Sequence, residues 1–117
     1  MTRCLIVDEN REWRGRTRGY LANHGFETIE ADNNDAAFER FVSDAPDVVV
    51  VGSSRASEFI RQLFRHSEGS EPIVLLCPEQ ADIASVGNAI WSGASDYLVK
   101  PYSQEMFDAK LRQTGIL

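Results

Sequence analysis

Long apolar runs are missing from this chain. No stretch approaches the roughly 20 apolar residues needed to cross a bilayer, so no membrane insertion is expected. The start, Met1-Thr2-Arg3-Cys4-Leu5-Ile6-Val7-Asp8, has too short an apolar segment for a secretory signal, and a cytoplasmic location is expected. Cysteine is scarce. Cys4 and Cys77 are the only two, too few for a disulfide framework, and both fall in predicted strands where a small apolar side chain fits. There is no CxxC and no His/Cys cluster, which argues against structural zinc. An excess of positive charge is absent too. The formal net charge is -6, which speaks against nucleic acid or an anionic membrane as a partner.

What is present is organised around Pro46-Asp47-Val48-Val49-Val50-Val51-Gly52-Ser53-Ser54. Four consecutive valines fit a strand covered on both faces, as in a parallel sheet between helix layers. The run stops in small and polar residues. In open α/β sheets, chemistry sits just beyond the carboxyl ends of the strands, and here Gly52, Ser53 and Ser54 occupy that place without a charge.

The rest of the chain alternates around that strand. Leu5-Ile6-Val7 is a buried strand stopped by Asp8-Glu9-Asn10. Asn10 caps a helix with Glu12 in its first turn. Trp13, Thr17, Tyr20, Leu21 and His24 recur along that helix at helical spacing, and Gly25 ends it. Phe26–Glu30 alternates as an edge strand does. Asp32-Asn33-Asn34-Asp35 is a turn and cap, and Ala37, Phe38, Phe41 and Val42 form the inner face of a second helix, stopped before Pro46. Phe59, Ile60, Leu63 and Phe64 mark a third helix, closed by Ser67-Glu68-Gly69-Ser70. Pro72–Cys77 is a two-faced strand ended by Pro78. Ile83, Val86 and Ile90 line a fourth helix, ended by Ser92-Gly93. Tyr97-Leu98-Val99 is a fifth strand, and Met106, Phe107, Lys110, Leu111 and Thr114 fit a last helix. No linker, repeat or low-complexity segment interrupts the pattern, so one doubly wound α/β domain is expected over residues 1–117. Periodicity leaves the strand order open.

The strand ends bring together Asp8 and Glu9, Gly52, Cys77, and Lys100-Pro101. Four segments then resemble a known family: Leu5–Asn10, Pro46–Val51, Pro72–Leu76 and, most specifically, Gly93-Ala94-Ser95-Asp96-Tyr97-Leu98-Val99-Lys100-Pro101-Tyr102. The chain is similar over its whole length to the receiver domains of response regulators, of the CheY-like single-domain type. The resemblance implies a five-stranded sheet in order 2-1-3-4-5 and a place in two-component signalling. It implies an acid pair for Mg²⁺ at Asp8 and Glu9, a phosphoryl-contacting lysine at Lys100, an aromatic switch at Tyr97 and a cis bond before Pro101. It also implies signalling through the fourth helix, fifth strand and fifth helix.

Two positions depart from the family pattern. Gly52 stands where the phosphoacceptor aspartate is expected, and Cys77 stands where a Thr or Ser contacts the phosphoryl group. Glycine has no carboxylate to attack phosphorus, so phosphoaspartate chemistry is impossible at Gly52. Asp8 and Glu9 alone, one anionic ligand short, would bind Mg²⁺ only weakly. A thiol is a poor donor to a phosphoryl oxygen. The loop before Phe59 is also shorter than the family's by about four residues against typical loop lengths.

These departures favour a non-catalytic pseudo-receiver that docks on a protein without phosphorylation. Expected partners are a histidine kinase, another receiver, or a chemotaxis or motor component. With no output domain in the sequence, action would be by contact in trans. Asp8, Glu9 and Lys100 would then be an ion-pair cluster in which Lys100 neutralises the acids. Trp91, Tyr97 and Tyr102 are the candidate interface, Trp91 being placed at the edge of the buried stripe beside Ile90. Two alternatives stand beside this reading. In one, a small anion such as a cyclic dinucleotide binds Arg11, Arg14, Arg16 and Arg18 or the vacated pocket. In the other, phosphorylation falls on Ser53, Ser54 or Asp8, although the sequence supplies no base for either serine.

Overall fold

The computed structural model describes residues 2–67 and 69–117, so Glu68 in the expected helix-closing stretch and Met1 lie outside the described residues. The elements alternate as β1 (Arg3–Val7), α1 (Arg11–Ala22), β2 (Glu27–Ala31), α2 (Asn34–Asp44), β3 (Val48–Val51), α3 (Ala56–His66), β4 (Ile73–Leu76), α4 (Ile83–Ser92), β5 (Asp96–Tyr97) and α5 (Gln104–Gln113). All pairings are parallel, in the order β2-β1-β3-β4-β5. This is the doubly wound arrangement the alternation required, with the four valines at its centre.

Side-chain alternation along the strands divides the interior into two layers. Leu5, Val7, Val49, Val51, Val74 and Leu76 face α2, α3 and α4, meeting Phe41, Phe59, Ile60 and Leu63. Cys4, Ile6, Val48, Val50 and Leu75 face α1 and α5, meeting Leu21, Phe107 and Leu111. All four β3 residues are buried, which explains why the run is apolar without alternation.

Caps fix four of the helix starts. Asn10, Asn33, Asp82 and Ser103 accept from a backbone N–H in the first turn of α1, α2, α4 and α5. α3 begins differently. Its N-cap, Arg55, is in the left-handed region (φ 54) and offers no side-chain cap. Gly93 ends α4 at φ 134, and a Cβ there would collide with the Phe64 ring, so both backbone and space require glycine.

Several boundaries and faces differ from the sequence reading. α1 ends at Ala22, leaving His24 in the turn that closes through Gly25. Cys77 lies one residue beyond β4 although it is buried. β5 is Asp96–Tyr97, with Leu98 N–H still donating to the Leu76 carbonyl. Val42 and Met106, expected inside, are exposed. The largest correction concerns α4. Ile83 is 89% exposed and Ile90 is also exposed, because α4 seats on the sheet through the small residues Val86 and Ala89. Trp91 therefore stands in solvent at 92% exposure instead of at the edge of a buried stripe.

This placement sets an unequal expectation for two apolar substitutions. Phe59→Ala, at a buried site, should cost about 3–5 kcal/mol. Ile83→Ser should change stability by no more than about 0.5 kcal/mol. Urea unfolding of both variants checks the assignment of the α4 face.

Candidate functional site

The carboxyl ends of β1 and β3 and the segment after β5 converge on Gly52. Asp8 follows β1 directly, and its backbone is fixed by donation from its N–H to the Ala31 carbonyl. Gly52 N–H donates to the Val7 carbonyl, which sets the two strand ends side by side. Lys100 follows β5, its N–H donating to the Pro78 carbonyl, and the Lys100-Pro101 bond is cis.

Asp8 and Lys100 are both buried, at 4% and 8% exposure, and Lys100 Nζ lies 2.8 Å from Asp8 Oδ2. The other carboxylate oxygen, Oδ1, accepts from Asn10 N–H at 2.9 Å. Lys100 Nζ also approaches the Gly52 carbonyl at 3.4 Å. A Cβ added at Gly52 would overlap Asp8 Oδ2 and lie 3.3 Å from Lys100 Nζ. The place a side chain at position 52 would take is thus held by the Asp8 carboxylate.

Glu9 turns the other way. Its Oε2 accepts from the Ser54 hydroxyl at 2.7 Å and its Oε1 from Ser54 N–H at 3.0 Å. The Ser54 hydroxyl holds the Glu9 carboxyl below its ordinary value of 4.5; partial burial opposes this, while backbone N–H donation and the Lys100 charge add to it. The acid pair is therefore divided: Lys100 pairs directly with Asp8, and the serine loop takes Glu9. Ser53 is buried and donates to Asn34 Oδ1 at 2.5 Å, while Asn34 Nδ2 donates to the Ser54 carbonyl at 2.9 Å, tying the loop to α2.

Cys77 and Tyr102 lie beneath this edge. Burial pushes the Cys77 thiol up to about 12, with Tyr102 as its hydrogen-bonding neighbour, so the thiol is protonated at neutral pH. Tyr102, expected on an exposed interface, is 4% exposed. Its ring packs 4.6 Å from Trp13 and stacks on Phe107, and its hydroxyl meets Thr17 Oγ1 at 2.6 Å. A buried phenol needs such a partner, and Thr17 supplies one from inside α1. Tyr102 thus belongs to the core, and burial raises its pKa.

The other two candidate interface residues are accessible. Tyr97 borders a hollow of about 260 Å³ with Ile83, Val86 and Gly87, and Lys110 Nζ lies 5.6 Å from its ring centre. Trp91 stands free on α4. The arginines of α1 are largely engaged. Arg14 and Arg18 pair with Glu30 at 3.5 and 3.7 Å, and Arg16 pairs with Glu12 at 2.7 Å. Sequence reasoning missed the Glu9–Ser54 contact because nothing in the spacing relates a side chain just after β1 to one in the loop after β3, 45 positions away. Among the described residues, no group of three or more His, Cys, Asp or Glu side chains is arranged to hold a metal ion.

Comparison with known proteins adds family context. The family model described as the response regulator receiver domain matches residues 4–112. The transcriptional regulatory protein YxdJ of Bacillus subtilis is 28% identical over 96% of this chain and 49% of its own length. The chemotaxis protein CheY of the same organism is 28% identical, with 88% of each covered. Response regulator MprA of Mycolicibacterium vanbaalenii is 30% identical over 94% of this chain and 48% of its own length. The chain thus spans about half the length of the first of these relatives and of MprA, and most of the chemotaxis protein. Among solved structures, the chemotaxis response regulator CheY4 of Vibrio cholerae superposes with a TM-score of 0.87 at 21% identity, covering 97% of this chain and 98% of that one. A two-component response regulator from Clostridium difficile gives 0.88 at 22% identity, covering 99% and 97%. At these identities the structural likeness establishes the fold.

The geometry yields two expectations. Lys100→Met should cost about 3–5 kcal/mol by stranding a buried carboxylate, and adding Asp8→Asn should recover most of that loss in urea unfolding. For Glu9, the folded pKa is depressed, so its stabilisation is full above the ordinary 4.5 and is lost as pH falls through the lowered value. Ser54→Ala should flatten the acid limb of the stability curve in that window.

Proposed function

The chain belongs to the response regulator receiver domain family of two-component signalling, and we propose that within it this protein is a pseudo-receiver, a docking module whose state does not depend on phosphorylation. The observation that carries the reading is the Asp8 carboxylate lying over Gly52 in a buried ion pair with Lys100. Phosphoryl transfer to a receiver needs a carboxylate nucleophile and a lysine free to meet the phosphoryl oxygens. Here position 52 has no side chain, and the lysine is engaged by Asp8.

The same arrangement fits Mg²⁺ poorly. Such an ion wants several hard oxygen ligands in near-octahedral geometry. Asp8 Oδ2 is taken by Lys100, Asp8 Oδ1 by Asn10, and both Glu9 oxygens by Ser54. A divalent ion would have to displace a buried ammonium and break the Glu9–Ser54 contact.

Docking would use the face that α4 and β5 present. Ile83, Ile90, Trp91 and Tyr97 are exposed there, and no charged residue occurs from Ile83 through Ser95. Large apolar and aromatic side chains on a charge-free surface have the composition of an interface core. The occupant proposed is a protein of two-component signalling: a histidine kinase, a second receiver or a chemotaxis component.

One observation favours a second reading. Ser54 is exposed, and its hydroxyl already donates to Glu9, so the base that the sequence could not identify is present. Phosphorylation would then fall on Ser54.

Intact mass before and after exposure to acetyl phosphate with Mg²⁺ tests both readings, with Trp13 and Trp91 fluorescence followed in the same sample. The expected result is no phosphoryl gain and no fluorescence change. A gain mapped to Ser54 would replace the first reading with the second. Trp91→Ala should leave the melting temperature unchanged and abolish binding to the kinase or receiver partner.

A further inference from the structure

A cleft of about 460 Å³ runs between the β3–α3 loop, the first turns of α3, the end of β4 and α4. It lies on the opposite side of α4 from the hollow beside Tyr97, and Val86 borders both. Its floor is apolar, built from Leu76, Pro78 and Val86. Its walls carry Arg55, Ser57, Arg61 and Asn88.

None of those four side chains makes a hydrogen bond or an ion pair among the described residues. Arg11, Arg65 and Arg112 are likewise unpaired there, but they do not line this cleft, where Arg55 and Arg61 stand together. Ser53 and Ser54, on the same loop, have their hydroxyls committed to Asn34 and Glu9. Two guanidiniums, a hydroxyl and an amide therefore converge on one cleft with all their donors free, in a protein whose net charge is -6. Among the described residues, Glu58 is the only acid on its lining. Two arginines against one glutamate leave the lining with an excess of positive charge in an otherwise acidic protein.

We propose that this cleft binds a phosphate monoester carried on a flat ring, of the size of a nucleoside monophosphate. A guanidinium meets two phosphate oxygens with parallel N–H donors, which Arg61 and Arg55 are free to supply. Ser57 and Asn88 add neutral donors for the remaining oxygens. The apolar floor suits the face of a ring, and the volume falls within the range of small-molecule sites, about 300–1,000 Å³. The β3–α3 loop reaches α3 through only Gly52–Arg55, and that short connection leaves the space between α3 and α4 open. The proposal is independent of what docks on the exposed face of α4.

Isothermal titration calorimetry of the whole chain with adenosine monophosphate and with inorganic phosphate, at low and high salt, tests it. Expected are saturable, salt-sensitive binding of the nucleotide, tighter than that of phosphate, and a loss of about tenfold in affinity for Arg61→Gln, as for one charge-assisted contact. Arg61 is exposed, so the variant should fold normally, and Arg16→Gln, on the far face, should leave affinity unchanged. Absence of saturation, equal affinity for phosphate and nucleotide, or an affinity that Arg61→Gln does not change would overturn the proposal.

Discussion

The buried pair of Lys100 and Asp8 is the constraint on which the carboxyl edge of the sheet depends. Two charges removed from water must be matched closely or their desolvation dominates. The match here is possible because position 52 contributes only backbone. Glycine at 52 and the ion pair are two halves of one arrangement: without the glycine the carboxylate could not lie where it does, and without the lysine it could not stay buried. The contact joins residues 8 and 100, so it ties the first strand to the segment after the last across the central strand.

The sheet delivers these groups to one edge as a consequence of its parallel winding. Because all strands run the same way, every strand-to-helix connection with a candidate residue opens on the same side. The apolar alternation that fills the layers above and below also fixes register, since a slip of one residue would exchange the two layers. Leu5 and Val49 face one layer, while Ile6 and Val50 face the other. The edge chemistry therefore rests on the packing of Phe59 and Leu63 on one side and Phe107 and Leu111 on the other.

The strands and their order of appearance were legible because their apolar runs are short, β-branched and bounded by turn residues. The convergence of Asp8, Gly52, Cys77 and Lys100 was legible for the same reason, since it follows from where the strands stop. The orientation of α4 was not. Ile83, Val86 and Ile90 have helical spacing, but periodicity reports that apolar residues share a side without saying which side meets the sheet. On α4 the buried contacts are made by Val86 and Ala89, and the larger isoleucines remain outside. Tyr102 was misplaced for a different reason. Its burial depends on Thr17, eighty-five positions away, which offers the hydroxyl a partner, and no local pattern encodes that pairing. The Glu9–Ser54 contact is of the same kind.

Charge usage separates the helices by role. Three arginines of α1, Arg14, Arg16 and Arg18, are spent on Glu12 and Glu30, so they brace the helix and the edge strand and add little free potential. Arg55, just before α3, and Arg61, on it, have no such partners among the described residues. α4 carries no charge at all, and it is held by the smallest buried side chains of any helix: Val86 and Ala89, against Thr17 and Leu21, Ala37 and Phe41, or Phe107 and Leu111. Its other anchor is α3, whose Phe64 ring lies against Gly93 at the end of α4. Val86 touches the cleft on one flank and the Tyr97 hollow on the other, so a shift of α4 that moves Val86 alters both. With Asp8 and Lys100 paired over Gly52, the fold still places α4 between two accessible hollows.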